Sequence, residues 1–313
     1  MISFLVRRLV SGLVLLFAIT TLTFVLIFSG GANIARNILG KTATQAQVVQ
    51  KTHELGLDQP VLTRYLDWLG SALRGDFGTS WLNGASVTEN VLGALPVTLS
   101  LVLLTMLISA ALSVLLGTGA AVKRGWLDRV VQVTAVIGHV IPQFIVAIIL
   151  VGVFAVGLGI LPATGYVPLA DDPAGWALSL VLPVAALVLG AVASTAQQVR
   201  SSTIEVLRRD YVRTLTSRGL GFNEILYKHV LRSAAPAGLT NLGLQLVALL
   251  GGTVLVEQIF ALPGIGSLTV TATAGGDLPV VMGIVFITVF IVILINLLID
   301  LAVGWLNPKA RVS

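Results

Sequence analysis

Three short runs carry residue types that could do chemistry, and each fails on its neighbours. His53-Glu54 opens the H-E-x-x-H spacing that puts two zinc-ligating histidines on one helix face, but position 57 is Leu57. Residues 35–42, ARNILGKT, approach a phosphate-cradling loop, yet Ala35 stands where glycine is required and an apolar run, not a strand, precedes it. Gly275-Gly276-Asp277 has part of the loop of an intramembrane aspartate protease. Ala274 replaces its first glycine, no second aspartate lies within a span, and Asp300 sits at the end of one. His53, His139 and His229 fall on three separate segments, and no serine nucleophile motif is present. The chain has no cysteine, which excludes disulfides, thiolate metal sites and cysteine nucleophiles. No catalytic residue, cofactor site or metal site is assigned, and the chain is read as a non-enzyme.

What those residues sit on is membrane. Of 313 residues, 56% are hydrophobic and 11% charged, with a mean hydropathy of +0.98. Soluble domains carry about a quarter charged residues, so this chain cannot make a polar skin. A bilayer core of about 30 Å needs roughly 20 apolar residues at 1.5 Å each. Six charge-free stretches meet that length: 9–28, 91–122, 130–170, 173–199, 233–256 and 278–299. Within the third, Pro142 predicts a kink and Pro162 the end of the helix. The first stretch is too long for a signal-peptide core and lacks an A-x-A site, so it is read as an uncleaved helix.

The connecting segments set the orientation. One set (residues 1–8, 123–129, 200–232 and the tail from 307) holds 14 of the 19 basic residues. The opposite set holds five, all between 29 and 89, where five acidic residues match them. Asp171, Asp172, Glu257 and Asp277 complete that second set. Positive charge gathers on the cytoplasmic side, so both termini and the 200–232 segment are expected there. The net charge of +5 therefore needs no nucleic-acid partner. The expected organisation is 1–28 tail and first helix, 29–90 outer loop, 91–306 five-helix core, and 307–313 tail.

Segment 200–235 mixes seven basic and three acidic residues with an apolar stripe at Ile204, Leu207, Tyr211 and Leu215, spaced 3, 4 and 4. Gly219 suits the position just past a helix end, and Asn223 can cap a second helix starting at Glu224. The prediction is helix, glycine turn, helix. An ordinary topological loop needs neither the stripe nor the caps; a docking surface needs both. The run EVLRRDYVRTLTSRGL resembles the cytoplasmic loop of ABC importer permeases of the dipeptide/oligopeptide branch. Its glycine matches Gly219, while Arg213, Thr214 and Leu215 replace the literal Glu-Ala-Ala. Residues 55–81, 256–268 (VEQIFALPGIGSL) and 307–311 (NPKAR) resemble further stretches of the same group.

The resemblance implies an all-α membrane protein with the six-helix type I importer fold and an extracytoplasmic subdomain after the first helix. It implies a translocation path for peptides, with nickel complexes, glutathione or haem as alternatives, in a bacterial inner membrane. It implies four kinds of neighbour: a second homologous permease, two ATPase subunits that hold ATP and Mg, a substrate-binding protein, and lipid. Tyr211, Arg213, Thr214, Leu215, Arg218, Gly219, Leu220 and Phe222 would couple to the ATPase. Asp58, Tyr65, Trp68, Asp76 and Trp81 would meet the binding protein, on a loop whose helix face is read as Leu62, Tyr65, Leu66 and Leu69. Polar residues inside spans usually face the bundle or a water path. His139, Gln143, Asn241 and Gln245 are candidates for that path, or equally for hydrogen bonds between helices. A secondary transporter is a rival class, but such proteins typically carry ionisable residues near the midplane and no charged residue lies mid-span here.

Overall fold

A computed structural model describes residues 2–28, 31–40, 42–123 and 125–306, apart from the side chains of 2–5, 31–33, 127 and 139. The helices in chain order are α1 (Ile2–Phe28), α2 (Gly31–Leu39), α3 (Gln45–Glu54), α4 (Val61–Ala72), α5 (Val87–Lys123), α6 (Trp126–Val140) and α7 (Gln143–Leu150). They continue as α8 (Pro173–Leu207), α9 (Asp210–Ser217), α10 (Phe222–Glu224), α11 (Leu231–Ile259), α12 (Ile265–Gly275) and α13 (Leu278–Leu306). Two π-helical stretches, Val151–Gly157 and Ile225–Val230, extend α7 and join α10 to α11. No strand forms among the described residues; Thr79 and Ser86 make one isolated bridge. Among the described residues five helices are long and apolar enough to cross a membrane, or six if α6 and α7 form one span.

The α6–α7 pair is broken, not kinked. Pro142 has no N–H and its ring drives the preceding residue out of the helical region. Ile141 is accordingly extended (ψ 116°), and the helices on either side differ in direction by 101°. The helix also ends earlier than the sequence predicts, at Gly157 and not at Pro162; Gly159 follows in the left-handed region (φ +65°).

The chain divides into two compact units, one of residues 98–262 with the stretch from 294, the other of 2–97 with 263–293. In the first unit α6, α7 and α11 pack on α8. Lipid tails are as apolar as leucine, so close backbone approach and polar contacts hold such helices together. Gly138 illustrates the first: a Cβ there would lie 2.5 Å from the Cβ of Ala193. Gly117 does the same against α8, where a Cβ would lie 2.6 Å from the Ala196 carbonyl oxygen. Arg200 supplies the second, gripping Asp128 of α6 through Nε and Nη2, the latter 2.9 Å from Oδ2.

The second unit is built on aromatic packing. Phe24 and Phe28 of α1 stack at 4.0 Å, Tyr65 of α4 meets Phe24 edge-on at 5.2 Å, and Trp68 meets Phe286 of α13. The buried face of α4 is Tyr65, Trp68, Leu69 and Ala72; Leu62 (69% exposed) and Leu66 (56%) point away from it, against the sequence expectation. Both faces satisfy a 3–4 spacing, and the aromatic pair decides between them because it buries more surface. Thr44 caps α3 with a reciprocal Thr44–Gln47 pair.

Candidate functional site

Charge, turn geometry and exposed rings come together between α8 and α11. The stripe from Ile204 to Leu215 does not lie on one helix, because α8 ends at Leu207 and Arg209 is extended (ψ 146°). A new helix, α9, starts at Asp210, whose carboxylate suits the positive end of the helix dipole. It stops at Gly219, which has φ +84°, a conformation that costs other residues about 1–2 kcal/mol. Two hydrogen bonds close the turn: Gly219 N–H to the Thr216 carbonyl (3.0 Å) and Leu220 N–H to the Leu215 carbonyl (3.3 Å). That is a Schellman motif, and Leu215 and Leu220 add its apolar contact. The return helix begins at Phe222 with Gly221 as N-cap, two residues before the expected Asn223 cap. It then runs through the π-helical stretch straight into α11, with no break between the elbow and a long apolar helix.

The elbow has two sides. Val206, Val212, Ile225, Leu226, Val230 and Ala234 form a buried cluster, against which Val122, Leu207, Leu215 and Leu220 pack. Facing outward are Arg213, Thr214, Arg218, Gly219 and Phe222 (52% exposed), with Tyr211 bonded through its hydroxyl to Ser233 at 3.2 Å. Six of the eight residues expected to dock a partner are thus exposed, while Leu215 and Leu220 hold the turn from within. Tyr227 (67% exposed) joins that outer side and was missed by sequence reasoning; an aromatic residue among basic ones was the available signal. With Val114, Thr118, Phe222 and Asn223 it lines a groove of about 260 Å3. Guanidinium forks beside aromatic rings are the chemistry of a protein interface. Among the described residues no group of three His, Asp or Glu could hold a metal ion.

The remaining candidates separate. Asn241 Nδ2 donates to Thr195 Oγ1 (3.0 Å) and Gln245 Nε2 to Ser194 Oγ, so both tie α11 to α8. Gln143 sits between Gly190 and Gly252, its Oε1 buried with no hydrogen-bond partner among the described residues. The side chain of His139 lies outside the described residues. Tyr65 is 4% exposed and accepts a hydrogen bond from Thr21 Oγ1 at 2.7 Å, which removes it from any partner surface. Trp68 is partly buried in the same packing. Asp76 Oδ1 accepts from Gly78 N–H (2.8 Å), Asp58 Oδ2 lies 3.8 Å from His53 Nε2, and Trp81 is half-buried.

Two carboxylates read as loop residues are interior. Glu257 in α11 is fully buried and accepts from Thr98 Oγ1 at 2.7 Å. Asp277, 2% exposed, accepts from Ser80 Oγ and from the Trp81 N–H (3.0 Å), fixing the hairpin before α5 to the start of α13. Their partners lie 159 and 197 residues away, a distance no local pattern reports.

Residues 113–312 match the family described as binding-protein-dependent transport system inner membrane component, and residues 1–102 match its N-terminal counterpart. A Brucella abortus protein named as a candidate peptide transport system permease is 38% identical over 284 residues, 90% of each chain. The di/tripeptide transport system permease protein of Pseudomonas aeruginosa is 36% identical over 335 residues, 99% of each chain. The dipeptide transport system permease protein of Bacillus subtilis is 35% identical, covering 100% of this chain and 99% of its own.

Proposed function

Because the chain belongs to the binding-protein-dependent transport system inner membrane component family, we propose that it is the permease subunit through which peptides enter the cell, driven by ATPase subunits that grip the 208–230 elbow. The observation that carries this reading is the elbow itself: a Schellman turn at Gly219, anchored inward by an apolar cluster and displaying Arg213, Arg218, Phe222 and Tyr227 outward. The permease class follows from the family; the peptide substrate rests on the printed names of the relatives.

The distribution of basic residues favours an orientation with both termini and the elbow in the cytoplasm. The elbow then faces the compartment that holds ATP. A second homologous permease completes the path, two ATPases hold ATP and Mg, and a binding protein outside delivers the peptide. Asp58, Asp76 and Trp81 on the first loop remain the residues proposed to meet that protein. ATP closing the ATPases moves the elbow, and the unbroken run from α10 into α11 carries the displacement into the membrane. For that to work, ATP must stabilise the outward-open arrangement more than the inward-open one.

Peptide uptake and ATPase co-purification in Gly219→Pro test this. Proline fixes φ near −65°, which the turn at +84° cannot accept. The expected result is normal membrane insertion, no uptake and no ATPase retained; wild-type uptake contradicts the assignment.

A further inference from the structure

A cavity at the end of the first span is left unused by transport. Phe24 and Phe28, in the last turns of α1, line about 220 Å3 together with Trp68, Phe77 and Trp81. Arg64 of α4 lines the same space, its Cζ 4.1 Å from the centre of the Phe28 ring. A guanidinium stacked on a ring keeps its edge N–H donors free for a planar or tetrahedral anion. Among the described residues nothing accepts a hydrogen bond from it. Burial pulls Arg64 down from its ordinary value, and the Asp58 carboxylate, itself beside His53, opposes that. An incoming anion would stabilise a charge that has lost part of its hydration.

The chemistry of the lining selects the visitor. Rings dominate the wall, and the last turns of a membrane-spanning helix sit at headgroup depth, where aromatic residues gather. A peptide would bring N–H and C=O groups that ring carbons leave unsatisfied. A molecule with a phosphate at one end and methylenes at the other satisfies both parts of the site. We propose that this cavity binds an anionic phospholipid, its phosphate on Arg64 and the first carbons of one acyl chain against Phe24, Phe28 and Trp68.

Native mass spectrometry of the full-length chain in its purified transport complex reads occupancy directly, with phosphatidylglycerol, phosphatidylcholine and inorganic phosphate titrated in turn. Phosphatidylglycerol is expected to be retained in preference to the other two. Arg64→Gln should weaken its binding about tenfold, the loss of a charge-assisted contact. Arg74→Gln, an exposed arginine outside the cavity, should change nothing. Thr79→Trp closes the mouth from an exposed position and should also lower occupancy, which keeps the test valid if Arg64→Gln does not fold. Equal retention in both cavity variants, equal retention of the choline lipid, or equally tight inorganic phosphate overturns the proposal.

Discussion

The elbow between α8 and α11 and the first loop before α5 have similar raw material, short amphipathic helices with mixed charge and several aromatic residues, and use it in opposite ways. The elbow buries aliphatic side chains and turns Phe222, Tyr227 and its arginines outward. The first loop buries its rings, with Tyr65, Trp68 and Phe77 packed inward, and is pinned by Asp277. The exposed rings of Phe222 and Tyr227 add little to holding the fold; the buried rings of the first loop hold it. The contrast separates a surface that offers rings and guanidinium groups to the outside from one that packs its rings within.

Substitutions sharpen or break that contrast, and the largest effect belongs to Gly219→Pro, which should abolish uptake through the elbow while leaving the first loop folded. Asp277→Ala should come next. It leaves the Ser80 O–H and the part-buried Trp81 N–H without their acceptor, at about 1–3 kcal/mol for a buried donor, while Ser80 Oγ still accepts from the Leu82 and Asn83 N–H groups. Thermal unfolding in detergent should fall and protease cleavage between 73 and 86 should rise, with ATPase binding unchanged. Arg200→Ala leaves Asp128 without its bidentate partner; because the pair is partly exposed, about 2 kcal/mol is expected, below the 3–5 of full burial. Phe222→Ala should be nearly silent in stability, within about 0.5 kcal/mol, yet weaken ATPase binding roughly tenfold. A Phe222→Ala protein that unfolds early would place that ring with the buried ones and erase the distinction. Smallest is Tyr65→Phe, about 1 kcal/mol for one hydrogen bond, read by the same unfolding measurement.

Much of this was legible in the sequence, for reasons that also explain what was not. Apolar length alone located six stretches, five of which are single long helices in the structure, because no soluble element needs 20 uncharged residues in a row. Gly219 was readable as a helix stop, since few residues other than glycine sit easily past a helix end. Pro142 announced a disturbance, but the size of the bend depends on what Ile141 and Gln143 pack against. The true inner face of α4 was not readable: Leu62 and Leu66 fit a 3.6-residue period as well as Trp68 and Ala72 do. In a membrane protein an apolar face can look outward without penalty, so periodicity loses its power to choose. Glu257 and Asp277 looked like loop charges because Thr98, Ser80 and Trp81 are remote in sequence.

The absence of cysteine from the chain makes the most direct measurement clean. Arg218→Cys and Leu66→Cys each place one thiol, on the elbow and on the exposed face of α4. In the assembled complex the elbow thiol should cross-link to the ATPase, change its yield when ATP is added, and be shielded from aqueous thiol reagents; the α4 thiol should do none of these. An elbow thiol that labels freely with the ATPase bound, or that reacts from outside the cell, would contradict the account.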